Sequence, residues 1–219
     1  MRQPGSIRRA GNLRAQYDAI VLPSAAPDQL IDGHRPGTVP AAFAGGLGQD
    51  GVAALKAFVE EGGTLVCLDQ SAGLAVSAFD LPLRDVAREA GSDRLFGPGS
   101  IVKIDLDASQ PLAYGMTPQT AGFFLFSSAY EVLPPRPTTE GRGAGPSSTA
   151  AIQTIARYAT KDVLLSGWLD GEEVIAGRPA AVQASVGAGR VVLIGFRAQH
   201  RAQSLATFRL LFNAIFTAR

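Results

Sequence analysis

Cysteine and histidine are scarce in this chain of 219 residues, which has one cysteine and two histidines. A single cysteine excludes an intrachain disulfide and a zinc site built from cysteines. His34 is followed by Arg-Pro-Gly and His200 by Arg-Ala-Gln, so neither histidine begins an H-x-x-E or H-E-x-x-H motif. We therefore predict two loop or surface histidines, and neither a metal site nor a cofactor in this chain.

Long apolar runs and a strong net charge are also missing. No uninterrupted apolar stretch approaches the roughly 20 residues that a membrane-spanning helix needs, and the formal net charge is +1. A near-neutral chain has no bulk attraction to nucleic acid. We therefore expect no nucleic-acid partner and no membrane span.

The N-terminal residues 1–16 are locally basic and lack the apolar core of a secretory signal. The first fourteen residues contain four arginines and no acid, which is typical of a solvated terminal segment. Two interpretations of location stay open. Either the protein remains in the cytoplasm, or this chain is a piece whose targeting signal lies elsewhere.

Short apolar segments alternate with a helix in the first third of the chain, and apolar residues make up 46% of the whole. Residues 18–22 and 64–68 read as buried strands, and residues 50–61 read as a helix with Asp50 as its N-cap, stopped by Gly62-Gly63. Strand, helix, strand in this order is typical of a parallel sheet covered by helices. The sequence therefore predicts an α/β fold with a mostly parallel sheet.

The rest of the chain, with residues 17–219 as one domain, supplies further elements. Strands are predicted at 101–107, 123–126, 130–133, 152–158, 162–168, 180–186 and 190–196, and a closing helix at about 201–218. We expect the Pro- and Gly-rich segment 134–150 to be an exposed, mobile loop. Trp168 is interpreted as a packing anchor rather than a ligand platform.

Two residues near the end of the strand 64–68 are candidates for a nucleophile. A nucleophile elbow needs glycines two residues on either side, but Cys67 has Leu65 and Asp69 there. We therefore predict a buried structural thiol. Ser71 also lacks a G-x-S-x-G frame, and its hydroxyl is predicted to cap the following helix.

A ligand site is the alternative at the same place, because open α/β sheets bind ligands beyond the carboxyl ends of their strands. The residues that the sequence brings to this edge are Asp69, Gln70, Ser71 and Arg197. We name these four as candidates for binding a small molecule or glycan, on an argument from the fold class alone.

Two long stretches, residues 11–69 and 164–216, carry a family resemblance. They begin GNLRAQYDAIVLPS and LLSGWLDGEEVIAG, and the segment DASQPLAYGM at 107–116 also fits. They resemble the C-terminal region that follows the catalytic domain in many bacterial carboxypeptidase A-like zinc peptidases. The resemblance implies a class I glutamine amidotransferase-like, flavodoxin-type fold and an extracytoplasmic parent protein.

The resemblance places the family's zinc ligands and catalytic glutamate in an upstream domain, so no residue here inherits those roles. The amidotransferase triad of Cys, His and Glu is not reproduced around Cys67 and His200. A doubly wound sheet normally opens with a central strand and helix, which residues 1–16 do not supply. We therefore expect a fragment or truncated gene product that lacks the first strand and helix, with the upstream peptidase domain as its partner.

Three functions remain in competition. The leading hypothesis is a non-catalytic accessory domain of a zinc metallocarboxypeptidase-like protein. The second is an autonomous amidotransferase-like hydrolase that uses Cys67 or Ser71, and the third is the small-molecule or glycan-binding module. The oligomeric state is left open.

Overall fold

The fold is taken from a computed structural model of the chain, which describes Ile7 and residues 11–134, 150–202 and 204–218. The strands are β1 (Ala19–Leu22), β2 (Thr64–Leu68), β3 (Leu83–Asp85), β4 (Ser100–Leu106), β5 (Gln119–Phe124), β6 (Tyr130–Val132), β7 (Ile152–Tyr158), β8 (Leu164–Ser166), β9 (Pro179–Val186) and β10 (Gly189–Ile194). The helices are α1 (Pro27–Asp32), α2 (Gly48–Glu60), α3 (Ala72–Ala78), α4 (Val86–Ala90), α5 (Glu172–Ile175) and α6 (Phe208–Phe216).

One large sheet organises these elements. Within the described ranges it has eight strands, in the order β1-β2-β10-β9-β7-β4-β5 with β8 also paired to β4, while β3 and β6 form a separate two-stranded sheet. The α/β class is confirmed. The sheet itself is mixed, because β1, β2 and β10 run parallel whereas the other strands of this sheet pair antiparallel. Short connections such as the turn between β9 and β10 force antiparallel pairing, since parallel neighbours need a crossover.

The predicted strands 18–22, 64–68 and 190–196 lie next to one another in this sheet, but the first is mostly half-buried, with only Leu22 buried. Ala19 pairs with Thr64, and Thr64 pairs in turn with Arg190. All five residues of β2 are buried, as expected for a strand that is covered on both faces. β1 lies at the sheet edge, and among the described residues its only strand partner is β2. We predicted that the first strand and helix of this fold are missing, and this stays a prediction.

The core forms two layers because side chains alternate along a strand. On one face, Val66 and Val192 pack with Leu210 and Ala214 of α6. On the other face, the odd-numbered residues of β2 and β10 pack with α2 and α3; these residues are Leu65, Cys67, Val191 and Leu193. The alternation puts α6 on the face opposite to α2 and α3.

Several predicted details need correction. Leu47, not Asp50, precedes the first residue of α2, and no side chain caps that end. The closing helix begins only at Phe208, because Arg201 and Ala202 adopt left-handed backbone angles and break it. Leu13, in the segment predicted to be solvated, is buried in the core.

Two other predictions have different outcomes. Most of the predicted loop 134–150 lies outside the described residues. No helix in the described part of the chain is both long and apolar enough to cross a membrane.

Candidate functional site

The turn after β2 has the geometry of a strand-to-helix elbow. Asp69 directly follows the last residue of β2 and has a φ of 52°, in the left-handed region that non-glycine residues seldom adopt. Residues 69–71 form a single 3-10 turn that leads into α3. The tip of the elbow is therefore Asp69, two residues beyond the cysteine that was considered for this role. A strained residue at such a turn is a reason to look for function there.

The Asp69 carboxylate is buried, with 1% of the residue exposed. Its Oδ2 accepts hydrogen bonds from Ser24 Oγ at 2.8 Å and from Arg197 Nε at 3.1 Å. Ser24 lies just beyond β1 and Arg197 just beyond β10, so the ends of the three parallel strands meet at this carboxylate. Within the described residues, the second oxygen, Oδ1, has no hydrogen-bond partner.

The charge of this carboxylate is set by opposing effects. Burial raises the pKa of Asp69, because a low-dielectric interior disfavours the ionised form. Hydrogen bonding from Ser24 and the positive charge of Arg197 lower the pKa and so oppose that rise. The Ser127 hydroxyl also lowers it. The net pKa of Asp69 stays above its ordinary value, so the ion pair only partly offsets the cost of burial.

Ser71 has a structural role that differs from the predicted helix cap. Its single hydroxyl proton is shared between the carbonyl oxygens of Leu22, at 3.1 Å from Oγ, and Leu68, at 2.9 Å. The side chain therefore points back to the strand ends and makes no capping bond to α3. Ser71 is fully buried, and a hydroxyl committed to two main-chain acceptors is poorly placed to attack a substrate.

Cys67 is a buried structural thiol, as predicted. It has no exposed surface and belongs to the core layer on the α2 side of the sheet. Burial raises the pKa of the Cys67 thiol to about 12, although a hydrogen bond with Ser71 acts against the rise. Since the thiolate is the reactive form of cysteine, we expect Cys67 to be unreactive at neutral pH.

The Gln70 side chain lines an open cleft beside the elbow, which the other three candidate residues do not line. The cleft has a volume of about 230 Å³. Its lining combines polar side chains with apolar ones, and includes Gln70, Asp85, Arg88, Leu95, Phe124, Phe126 and Ser127. The candidate site thus consists of a buried ion pair, Asp69 and Arg197, next to a small open cleft.

A row of aromatic rings extends from this cleft. Phe96 contacts Phe126 edge-on, with 5.8 Å between ring centroids, and contacts Trp168 at 6.1 Å. Phe126 has a left-handed φ of 48°. Trp168 is 61% exposed, and its Nε1 donates to Asp170 Oδ2 at 2.8 Å. The prediction that Trp168 anchors the core is therefore wrong, because an exposed indole held by a carboxylate buries little surface.

Sequence reasoning missed several residues around the site. Ser24 could have been found, because it follows the strand 18–22 and so reaches the same sheet edge as Asp69. Ser127 and Phe126 could not, since they lie in a turn after an antiparallel strand, whose position in the sheet has no local signal. Arg88 was missed for a similar reason, because α4 follows β3, whose antiparallel partner β6 is distant in sequence.

The histidines lie apart from any metal-binding arrangement. His34 is exposed, and His200 stacks on Phe123 with 4.5 Å between the ring centroids. Burial and the neighbouring charges of Arg197 and Arg201 lower the pKa of His200. The described residues contain no group of three or more His, Cys, Asp or Glu side chains that could hold a metal ion.

Comparison with known proteins shows the fold. No protein-family model and no curated protein matches the sequence. Among solved structures, a cytoplasmic protein from Salmonella typhimurium has a TM-score of 0.55 at 11% identity, with 97% of this chain and 78% of that chain covered. A second cytoplasmic protein, from Salmonella typhimurium LT2, has a TM-score of 0.51 at 12% identity, covering 97% and 76%.

A third structure relates the fold to a named class. It is a candidate GMP synthase component from Thermoplasma acidophilum, with a TM-score of 0.51, 10% identity, and coverage of 92% of this chain and 72% of that one. The fold is therefore of the flavodoxin-like, glutamine amidotransferase-like class. This supports the part of the resemblance that implies an amidotransferase-like fold. The three structures give no support to a carboxypeptidase parent.

Proposed function

We propose that this chain is a non-catalytic accessory domain built on an amidotransferase-like fold. The observation that carries the proposal is the buried Asp69–Arg197 ion pair, which occupies the elbow tip where this type of turn would present a nucleophile. A substrate has no access to the Asp69 carboxylate, since the residue is almost fully buried. The elbow is therefore better suited to holding strand ends together than to catalysis.

The two alternative nucleophiles fit catalysis no better. Cys67 is buried with a thiol that stays protonated at neutral pH. Ser71 donates to two carbonyl oxygens, and neither acceptor is a general base. An autonomous hydrolase that uses either residue would need the strand ends to separate first.

The parent protein is the finer part of the proposal. The resemblance of residues 11–69 and 164–216 to the C-terminal region of zinc metallocarboxypeptidase-like proteins supports an accessory role beside an upstream peptidase domain. In that arrangement zinc, its ligands and the catalytic glutamate belong to the upstream domain, and the parent is extracytoplasmic. Docking of substrate, domain packing and stability are the roles that this leaves to the present chain.

Two experiments test these parts separately. The purified chain is incubated with glutamine and with p-nitrophenyl acetate, and turnover is compared with that of the C67A/S71A variant. Equal, background-level rates support a non-catalytic domain, whereas activity lost in the variant would overturn it.

To test for a peptidase parent protein, the genomic DNA upstream of Met1 is sequenced. An open frame that encodes an H-x-x-E motif supports the peptidase, and an in-frame stop codon next to Met1 refutes it.

A second candidate function is favoured by the cleft beside the elbow. Arg88 lies 3.6 Å from Asp85, and Arg197 pairs with Asp69, so the charges around the cleft largely cancel. Neutral surroundings with the Gln70 amide, the Ser127 hydroxyl and the exposed Phe126 ring suit a neutral, hydroxyl-rich ligand such as a sugar. Phe126, which lines the cleft, has a left-handed backbone φ, and this strain is a further reason to test binding there.

A further inference from the structure

Large apolar residues that are exposed, apart from the half-buried Phe208, lie on the outer side of α6 and in the segments next to it, and we call this set the C-terminal face. Its members are Tyr114, Leu205, Phe208, Phe212, Ile215 and Phe216. Tyr114 is 79% exposed, Leu205 65%, Phe212 48% and Phe216 78%. Spacings of three and four residues place Leu205, Phe208, Phe212 and Phe216 along one side of the helical segment. Such a patch on a folded protein marks an interaction surface.

The rotation of α6 is fixed, so these rings cannot turn inward. Leu210 and Ala214 on the inner side are fully buried against the sheet. Asn213 Nδ2 donates to the carbonyl oxygens of Leu112, at 2.8 Å, and Tyr114, at 3.0 Å. At the end of the helix, Arg190 donates to the carbonyl and hydroxyl oxygens of Thr217. The outward orientation of the phenylalanines is therefore a feature of the folded chain.

We propose that the C-terminal face is the interface of a homodimer, with α6 of one copy packed antiparallel on α6 of a second copy across a two-fold axis. The area fits this occupant. Large aromatic side chains bury about 150–250 Å² each when fully covered, so the face offers about 600 Å² of apolar surface at its present exposure. A standard interface takes about 800 Å² from each partner, so the face offers about three quarters of that area.

Charge also favours a second copy of the same chain. The net charge is +1, so two copies do not repel each other appreciably. Arg209, near the start of α6, is the helix's one charged residue. In an antiparallel pair each Arg209 lies beside the C-terminal end of the partner's helix, where the negative end of the helix dipole favours a cation. A two-fold axis makes the same contact twice.

The test is the mass of the full 219-residue chain in solution, measured by sedimentation equilibrium from about 5 to 200 µM, a range chosen for a dissociation constant in the micromolar region. We expect a mass that rises toward twice the 22.8 kDa of one chain. The F212E/F216E variant should stay monomeric throughout. Both residues are already exposed, so the variant should fold, and circular dichroism melting checks this.

Two controls locate the contact. The F43E variant changes an equally exposed phenylalanine in the turn between α1 and α2, and it should still form dimers. In a C67A background, F212C should crosslink under mild oxidation because the middle of α6 lies near the two-fold axis, whereas F43C should not. A monomeric wild type would overturn the proposal. Association that survives F212E/F216E would overturn it equally, because it would place the contact elsewhere, such as the β1 edge.

Discussion

Asp69 and Arg197 form an ion pair just beyond the ends of β2 and β10, with 3.1 Å between Oδ2 of the carboxylate and Nε of the guanidinium. The carboxylate is buried, whereas the guanidinium is partly exposed. The pair is the polar centre of the candidate site and also a crosslink between neighbouring parallel strands. Its energetic role is therefore the first property to measure.

Removal of the arginine charge should destabilise the protein. In the R197Q variant, Asp69 keeps Ser24 as its hydrogen-bond donor but loses the opposite charge. Breaking a buried pair from one side costs about 3 kcal/mol or more, so the free energy of unfolding in urea should fall by roughly that amount. The D69N/R197Q double variant should recover part of the loss. A loss below about 1 kcal/mol for R197Q would mean that the pair is effectively solvated.

The raised pKa of Asp69 predicts how stability depends on pH. Because the pKa is higher in the folded state than in the unfolded chain, the folded state binds the proton more tightly. The contribution of Asp69 to stability should therefore be largest below its ordinary pKa of 3.8 and decrease as pH rises from there through the folded pKa. The D69N variant has no such titration. The melting temperature of wild type minus that of D69N should fall across this window.

A matched variant controls for the backbone in that experiment. Asp162 also has a left-handed φ, of 50°, but its side chain is exposed. The D162N variant shows what an asparagine does at a left-handed position without burial. A wild-type minus D69N difference that stayed constant or rose with pH would contradict the raised pKa.

The parallel part of the sheet could be predicted from the sequence, and the antiparallel part beyond the β9–β10 hairpin could not. Residues 65–68 and 191–196 are continuous apolar runs, which identify strands covered on both faces. The pairing of β7, β4 and β5 depends on distant connections that leave no local pattern. The closing helix shows a second limit: the helix was predicted, but only the rotation set by Leu210 and Asn213 shows which of its apolar residues point outward.

The same limit applies to the candidate site. Asp69, Ser71 and Arg197 were found because they follow buried strands, and they do lie together. Their roles could not be read from the sequence, because the contacts of Asp69 with Ser24 and Arg197 join residues that are 45 and 128 positions away in the chain. Cys67 was interpreted correctly because an apolar strand that continues through a cysteine buries it.

Cys67 should resist alkylation in the native protein. Its thiol is buried and protonated at neutral pH, so iodoacetamide should label it only after denaturation. Mass spectrometry of native and guanidinium-treated protein counts the labels. Rapid labelling of the native chain at neutral pH would show that the strand ends open, and would reopen the hydrolase hypothesis.

Loss of the Ser71 hydroxyl should weaken the connection between β1 and β2. The S71A variant removes hydrogen bonds to the carbonyl oxygens of Leu22 and Leu68 and leaves both in a buried environment. Leaving such groups unpaired costs about 1–3 kcal/mol, and urea unfolding should show a loss in that range. As a control, S109A removes an exposed hydroxyl that donates to Asp107 in its own turn, and should change stability by less than about 0.5 kcal/mol.

The cleft beside Gln70 should bind a neutral sugar weakly if the second candidate function is correct. A cavity of about 230 Å³ holds one sugar ring, so a millimolar dissociation constant is expected, equivalent to about 4 kcal/mol. Titration with methyl glucoside to about 100 times that constant would stabilise the fold by about 2.7 kcal/mol and raise the melting temperature.

The fluorescence of Trp168 gives a second measurement of binding. Trp168 is the chain's one tryptophan, and Phe96 contacts both it and Phe126 at the cleft. The Q70A and F126A variants should lose both responses, whereas L165A, at an exposed residue that does not line the cleft, should keep them. A melting temperature and a fluorescence spectrum that the sugar leaves unchanged in the folded wild type would remove this function from consideration.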